Sequence, residues 1–189
     1  MTSIYFVRHA QPDKSVTDDR TRPLTDEGMR DTKEVTEHLR NRNIHFLMSS
    51  PYKRSMDTIK DLADTLHMEI HPDEDFRERA IGVGYLGDSD QYIRKMWADV
   101  YFKSEGAECL AEVQERNMRA LRKVLASHPD ENIVIATHGT ALSSILNYYN
   151  PLFNVEDFFR LLYYRPYIIR LDFDGDTCIG MTEELLIEK

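Results

Sequence analysis

Apolar residues in this chain recur in two patterns, as short continuous runs and as longer stretches with helical spacing. The short runs are typical of strands buried in a sheet, and apolar residues at i, i+3 and i+4 are typical of amphipathic helices. The predicted strands cover residues 3–8, 44–48, 68–71, 132–137, 168–173 and 177–181. The predicted helices cover residues 26–42, 51–66, 88–103, 107–128 and 140–149. Because strands alternate with helices, the pattern predicts an α/β fold whose sheet is covered on both faces.

The pattern predicts a single domain over residues 1–189, because the length and the 41% of hydrophobic residues suit one sizeable core. The sequence has no internal repeats, low-complexity segments or clear linkers. A Gly-rich stretch followed by the weaker helical pattern of residues 88–103 predicts a small helical lid insertion near residues 80–106. We expect the residues after Met181 to form a short acidic tail.

The composition and charge of the chain limit the cellular compartments and the binding partners that we expect for it. No run of about 18 apolar residues exists, so no membrane span is predicted. The first residues carry neither the basic nor the apolar part of an export signal, and we expect a cytoplasmic protein. Cys109 and Cys178 lie far apart without metal-ligand spacing, which is typical of free thiols in a reducing compartment. The net charge of −9 disfavours a nucleic acid as the partner.

A chain of this charge can bind an anion only where cations converge locally, and three segments supply them. Arg8 and His9 follow the first predicted strand. Arg54 lies in the first turn of the helix after the second strand, and His138 follows the fourth strand. The carboxyl ends of parallel strands meet at one sheet edge, where helix N-termini add N–H donors. Each residue alone is consistent with a solvated strand end or helix face, but together they predict a site for a tetrahedral anion.

These residue types suit phosphoryl transfer. Two arginines can each hold phosphate oxygens bidentately, and a neutral imidazole at His9 can attack phosphorus to give a covalent intermediate. A protonated His138 would offset charge on the transferring oxygens. Glu78, after the third strand, is the candidate that gives a proton to the leaving oxygen. The sequence has no P-loop pattern and no carboxylate spacing that demands Mg²⁺, so we expect neither a metal nor another cofactor.

Five ordered segments within residues 4–145 resemble the histidine phosphatase superfamily, the phosphoglycerate mutase-like group, and its phosphatase branch. They are Arg8-His9-Ala10, Pro23-Leu24-Thr25-x-x-Gly28, Ser49-Ser50-Pro51-x-x-Arg54, Phe76-x-Glu78-Arg79 and Thr137-His138-Gly139. The resemblance implies a three-layer α/β/α sandwich around a mostly parallel sheet. It implies that His9 is the phosphorylated nucleophile, that Arg8, Arg54 and His138 form the phosphate pocket, and that Glu78 is the acid–base residue. It also implies that Ser15 and Arg79 contact the substrate.

The chain departs from the family pattern beside the nucleophile. The usual Arg-His-Gly is Arg8-His9-Ala10 here, and Ala10 would be strained if its backbone needed a positive φ. Gln11 stands where mutases often carry Glu, and Cys109 stands where a Ser often follows a Gly-Glu pair. We expect Cys109 to be structural, because it falls at the start of a predicted helix.

The length of the predicted lid favours a phosphatase over a mutase. A mutase must exclude water from its phosphorylated intermediate, whereas only 28 residues (79–106) separate Glu78 from the long helix here. We therefore expect hydrolysis of a small phosphorylated substrate. A 2,3-bisphosphoglycerate-dependent phosphoglycerate mutase and a non-catalytic phosphate-binding regulator are the alternatives. We expect the many aromatic residues of 148–167 in the core, in a pocket wall or on a homodimer face.

Overall fold

The computed structural model describes residues 1–82 and 89–189, so residues 83–88 of the predicted lid lie outside it. The described strands are β1 Thr2–Arg8, β2 Phe46–Ser49, β3 Ile70–Pro72, β4 Asn132–Thr137, β5 Tyr164–Asp174 and β6 Thr177–Glu188. The described helices are α1 Asp26–Leu39, α2 Lys53–Leu66, α3 Asp90–Ala98, α4 Leu110–Ser127, α5 Gly139–Tyr149 and α6 Val155–Leu162. A short 3₁₀ turn, Glu74–Phe76, follows β3.

The described strands form one mixed sheet in the order β3-β2-β4-β1-β5-β6. The first four strands along the chain are parallel, whereas β5 runs antiparallel to β1 and β6 antiparallel to β5. Arg8 of β1 pairs with Thr137 of β4 on one side and with Tyr167 of β5 on the other. The carboxyl ends of β1 and β4 therefore meet the beginning of β5 at a single edge of the sheet.

Helices cover both faces of the sheet. Successive strand residues point to opposite sides, and in β1 both sets are apolar and need to be covered. Ile4 and Phe6 of β1 face a core that α4, α5 and α6 close, while Tyr5 and Val7 face a second core that α1 and α2 close. Each fully buried aliphatic side chain contributes about 1.5–3 kcal/mol to folding. The predicted α/β fold, a mostly parallel sheet between two helical layers, is confirmed.

The C-terminal part of the chain differs most from the prediction. Residues after Met181 are not a tail, because β6 continues to Glu188 and pairs with β5 along its length. The two consecutive carboxylates of β6 each have a cationic partner: Glu183 accepts from Arg160 of α6, and Glu184 lies beside Arg170 of β5. The alternating strand pattern was hidden by these two carboxylates, whose partners are distant in sequence.

Helix α6 was not predicted, although Val155, Phe158, Phe159 and Leu162 stand at helical spacing, because the aromatic stretch of residues 148–167 was not divided into elements. Its start is nevertheless well defined, since Asn154 and Asp157 form a reciprocal capping box. The third strand begins two residues later than predicted, at Ile70, and α3 ends earlier, at Ala98. In the described part of the chain, every helix is too short or too polar to span a bilayer. Both cysteines are free.

Candidate active site

A cavity of about 340 Å³ opens at the edge where β1, β4 and β5 meet. The described side chains that line it are Arg8, His9, Pro12, Lys14, Asp19, Arg22, Arg54, Glu78, Arg79, Ile81 and Arg165. Six of these are Lys or Arg and two are carboxylates, so the local charge is positive although the chain carries −9. Such a cluster attracts an anion against the average field of the protein.

His9 lies at the end of β1 with its Nε2 atom directed to this cationic group. Its Nδ1 is 2.7 Å from the carbonyl oxygen of Ala10, and a carbonyl can only accept, so Nδ1 carries the proton. Nε2 therefore keeps its lone pair and accepts from Nε of Arg54 at 3.3 Å. Burial, then the charges of Arg54 and Arg8, hold the His9 pKa well below its usual value. The ring is therefore neutral and oriented at pH 7, a state that suits a nucleophile.

The ring of His138 lies next to that of His9, with their centroids 5.3 Å apart. Its Nε2 is 2.7 Å from the hydroxyl oxygen of Ser50. Burial, followed by the charge of Arg54, holds the His138 pKa well below its usual value. The imidazole is therefore neutral near pH 7 in the protein alone. The protonated His138 that the sequence predicted requires the negative charge of a bound phosphate.

Arg8 is anchored by the main chain rather than by a carboxylate. Its Nη1 donates to the carbonyl oxygens of Leu161 at 2.8 Å and Tyr164 at 2.9 Å. Burial and the charge of Arg165 lower the pKa of Arg8 to about 9, so it stays charged at neutral pH. A Cβ at Gly139 would lie 3.1 Å from Cδ2 of Leu162, which is tight, and 3.5 Å from Nε of Arg8, which is an ordinary contact. The glycine therefore lets the start of α5 pack closely against Leu162.

Arg54 reaches the cavity from the first turn of α2 and is held by the loop between β1 and α1. Its Nη1 lies 3.2 Å from Oδ1 of Asp19 and also donates to the Asp19 carbonyl oxygen. The guanidinium lies over the ring of Tyr52, 5.1 Å from its centroid. These contacts fix its plane while Nε remains directed to His9.

The carboxylate of Glu78 lies at the N-terminus of α5. It accepts from the backbone N–H groups of Thr140 at 3.1 Å, Ala141 at 3.2 Å and Arg79 at 2.9 Å. These donors orient the carboxylate beside the cavity. Among the residues that the structure describes, no cluster of His, Cys, Asp and Glu could hold a metal ion.

Arg116 of α4 fixes the backbone that carries Glu78. Its guanidinium donates to the carbonyl oxygens of Asp75 and Arg77, both at 2.8 Å, and of Glu78 at 3.2 Å. Glu108 balances its charge through contacts of 2.8 and 2.9 Å. The acid–base candidate is thus positioned by an ion pair between Arg116 of α4 and Glu108, which lies just before that helix.

The comparison with known families establishes the family to which the chain belongs. The model described as "Histidine phosphatase superfamily (branch 1)" matches residues 4–180. The chain belongs to this superfamily. The match covers the whole edge described above, from β1 to β5.

Individual relatives agree with this assignment. Over 150 residues the chain is 27% identical to an uncharacterized phosphatase, PhoE, of Bacillus subtilis, covering 77% of this chain and 76% of that one. Over 162 residues it is 26% identical to a probable phosphoglycerate mutase, GpmB, of Yersinia pestis, covering 78% and 74%. The relatives support an enzyme of the phosphatase or mutase type.

Solved structures show the same fold. Bacillus stearothermophilus YhfR superposes with a TM-score of 0.76 at 21% identity, over 94% of each chain. A mycobacterial glucosyl-3-phosphoglycerate phosphatase superposes with a TM-score of 0.73 at 18% identity, over 99% of each chain. The resemblance therefore extends through α6, β5 and β6.

Two of the predicted site residues, His138 and Ser15, are not among the described residues that line the cavity, although the ring of His138 lies next to that of His9. Arg79 lines the cavity and is buried. Ser15 is exposed on the loop after β1, donates its N–H to Asp13, and is not among the described lining residues. The structure brings Arg79 to the other predicted site residues and leaves Ser15 outside the cavity.

Sequence reasoning missed several residues that line the cavity. These are Lys14, Asp19, Arg22 and Arg165. The first three belong to a polar loop whose path has no periodic signal. Arg165 stands just before the late apolar strand, and its place at the edge depends on that strand being antiparallel.

The alanine beside the nucleophile fits without strain. Among the described non-glycine residues, positive φ occurs at Asn43, His67 and Asp130, so Ala10 lies in an ordinary backbone region. Its side chain is buried, and its N–H donates to the hydroxyl of Thr58 at 3.0 Å. The glycine usual in the superfamily is not needed for conformational freedom here.

Cys109 is buried at the start of α4, outside the described lining of the cavity. Cys109 is buried at the N-cap, and its N–H donates to Glu112 at 2.9 Å. It is not among the described residues that line the cavity. This placement agrees with the expectation that Cys109 is structural.

Proposed function

We propose that the protein hydrolyses phosphomonoesters without a metal, through a phosphohistidine on Nε2 of His9. The observation that carries this proposal is the state of that ring. Nδ1 is committed to the Ala10 carbonyl, and Nε2 holds its lone pair beside Arg54. A neutral imidazole with one free nitrogen among cations is suited to attack a phosphorus atom.

In the first half-reaction the phosphoryl group of the substrate is held by Arg8, Arg54 and His138. Nε2 of His9 attacks phosphorus, the P–O bond to the leaving group breaks, and its electron pair stays on the leaving oxygen. Glu78 enters the cycle protonated and delivers this proton to the leaving oxygen, so an alcohol departs and Glu78 becomes a carboxylate. The cationic surroundings stabilise charge on the three transferring oxygens. Six lining cations provide this field without a Lewis acid.

In the second half-reaction water replaces the alcohol. Its oxygen attacks phosphorus, the N–P bond breaks, and Glu78 takes the proton from water. The products are inorganic phosphate and free His9, so atoms and charge balance over the cycle. We assign Arg79 to the leaving group, because it is buried in the lining beside Glu78. Ser15 belongs to this proposal only if the loop that carries it moves toward the cavity.

A phosphoglycerate mutase is the second candidate, supported by relatives with that probable name at 26% identity. We favour hydrolysis because the lid segment is short and the PhoE relative is named a phosphatase. The third candidate, a non-catalytic regulator, is disfavoured because His9, Glu78 and both phosphate-binding arginines all line one cavity.

The test measures p-nitrophenyl phosphate turnover with and without excess EDTA. We expect turnover that the chelator does not change. Absence of turnover by folded protein would overturn the proposed hydrolase, and loss of turnover with EDTA would overturn the metal-independent mechanism. A coupled assay that follows 3-phosphoglycerate conversion to 2-phosphoglycerate, primed with 2,3-bisphosphoglycerate, tests the mutase. Isomerisation faster than phosphate release would make the mutase the better description.

A further inference from the structure

Arg165 lines the cavity, and it forms no ion pair with any carboxylate among residues 1–82 and 89–189. Its Nη1 reaches only the neutral amide oxygen of Gln11, at 3.5 Å, and its Nε is buried without a hydrogen-bond partner among the described residues. Burial alone accounts for the lowering of its pKa, and none of the described carboxylates raises it. A half-buried guanidinium that no described carboxylate neutralises is suited to bind an anionic group.

The neighbouring cations are in a different situation. Arg22 donates to the carbonyl oxygen of Val16 at 2.8 Å and lies 3.1 Å from Oδ1 of Asp19, so the loop already uses it. Arg8 and Arg54 together match the two charges of a phosphate dianion. The charge of Arg165 is therefore additional to what the transferring phosphate needs.

The position of Arg165 places this charge close to the reacting group. Arg8 pairs with Tyr167 in the sheet, so Arg165 lies two residues beyond the end of β1, on the cavity side. After burial, the charge of Arg165 is the next cause that lowers the pKa of Arg8. At His9 it contributes after burial, Arg54 and Arg8. Arg165 is thus near His9, while its only hydrogen bond to a described residue is the long contact with the neutral amide of Gln11.

We propose that Arg165 binds a second anionic group, a carboxylate or another phosphate, on the leaving group of the substrate. Lys14, an exposed cation that lines the same cavity, extends this second site toward solvent. Arg165 is thus a specificity-determining residue that selects phosphomonoesters with a negatively charged leaving group. This inference rests on the proposed hydrolase function.

The test compares matched pairs of esters that differ in one charge. 3-Phosphoglycerate and glycerol 3-phosphate differ only by a carboxylate in place of a hydroxymethyl group. Propane-1,3-diol bisphosphate and its monophosphate differ only by the second phosphate. For the wild-type protein we expect kcat/KM to be at least tenfold higher for the charged member of one pair or both. The pair that shows the preference identifies the carboxylate or the phosphate as the recognised group.

Two variants test Arg165 by independent routes. Arg165→Gln removes the charge, and Gln11→Glu leaves Arg165 in place but supplies a carboxylate beside Nη1. Each is expected to reduce the preference for the charged ester to threefold or less, mainly by raising its KM. Arg165→Lys should retain a preference between these values. Arg40→Gln, the same loss of charge at an exposed site after α1, should keep the full wild-type preference.

The outcomes separate this inference from the proposed function. If the wild-type protein hydrolyses both members of each pair with equal efficiency, the second anionic site is refuted while the hydrolase stands. An unchanged preference in both Arg165→Gln and Gln11→Glu also refutes it. If none of the esters nor p-nitrophenyl phosphate is hydrolysed by folded protein, the proposed function fails and the inference falls with it.

Discussion

Nε of Arg54 lies 3.3 Å from Nε2 of His9, so a guanidinium faces the lone pair of the proposed nucleophile. The contact orients the ring and holds a positive charge where phosphate oxygens would bind. It also opposes protonation of His9, because a second positive charge at this distance is unfavourable. One residue therefore serves both the binding of phosphate and the reactivity of the histidine.

Replacement of His9 by Ala is expected to abolish the phosphoenzyme and to lower kcat by roughly 10⁴-fold or more, as loss of a nucleophile does. The measurement is radiolabelling with a phosphorylated substrate, in which wild-type protein should carry a base-stable, acid-labile label. His67→Asn is the control, because His67 is exposed at the end of α2 and Asn tolerates its positive φ. Label on the His9→Ala protein would show that another residue is the nucleophile.

Replacement of Arg54 by Gln is expected to raise the pKa of His9, because Arg54 is the largest cause of its lowering after burial. The sign follows from charge: without the cation, protonation of the ring becomes easier, and the neutral form is lost at a higher pH. A histidine NMR titration measures this shift directly, with Arg40→Gln as the control for general charge. An unchanged or lower His9 pKa would contradict the electrostatic account.

The same Arg54→Gln protein should lose about 10²–10³-fold in kcat, the cost of removing one donor from a transition-state anion. Arg54→Lys restores the charge but not the two parallel donors, so it should recover only part of the activity. Steady-state kinetics with p-nitrophenyl phosphate decide between these outcomes. Full recovery by Lys would show that charge alone is needed.

Replacement of Glu78 by Gln should affect esters according to their leaving group. For an alkyl ester such as glycerol 3-phosphate, kcat/KM should fall about 10²–10³-fold, because the departing alkoxide needs a proton. For p-nitrophenyl phosphate the fall should be far smaller, since p-nitrophenolate leaves without one. Because kcat/KM reports the first half-reaction, the later role of Glu78 with water does not obscure the result. Equal losses for both esters would remove Glu78 as the proton donor.

Replacement of Glu108 by Gln should destabilise the protein by about 3 kcal/mol, because it leaves the charge of buried Arg116 without its partner. Burial acts to raise the pKa of Glu108, but hydrogen bonds from Arg116 and the Ala80 N–H, with nearby positive charge, lower it below 4.5. The stabilisation is therefore complete above about pH 4.5 and is lost as pH falls through the folded-state pKa.

Urea unfolding at pH 7 and at pH 4 measures both parts of this prediction. The difference between wild type and Glu108→Gln should shrink at the lower pH. Glu37→Gln, which removes an exposed ion pair with Arg40, should leave the free energy of unfolding unchanged. A wild-type advantage that grows on acidification would contradict the assigned direction of the pKa.

The central sheet and the residues that we propose bind phosphate could be predicted from the sequence because each signal is local. The apolar run that became β4 ends at His138, and the run that became β1 ends at Arg8 and His9. A strand buried on both faces shows itself as a continuous apolar run. The residues that follow such strands must lie at the same edge.

The other charged residues that line the cavity, Lys14, Asp19, Arg22 and Arg165, could not be predicted in the same way. The place of Arg165 depends on the direction of β5, which the hydrophobic pattern does not encode. The loop with Lys14, Asp19 and Arg22 is fixed by side-chain contacts within the loop and by Arg54 of α2, and neither leaves a periodic signal in the sequence. Ser15 is the opposite case. The family resemblance implies that it contacts the substrate, yet it is not among the described residues that line the cavity.

Arg8 makes the early part of the chain dependent on the late part. Its guanidinium is held by the carbonyls of Leu161 and Tyr164, at the end of α6 and the start of β5. Every residue of the five sequence motifs lies before residue 140, whereas these two acceptors lie after residue 160. A chain cut short before α6 would keep all of the motifs and yet leave one of its two phosphate-binding arginines without a fixed position.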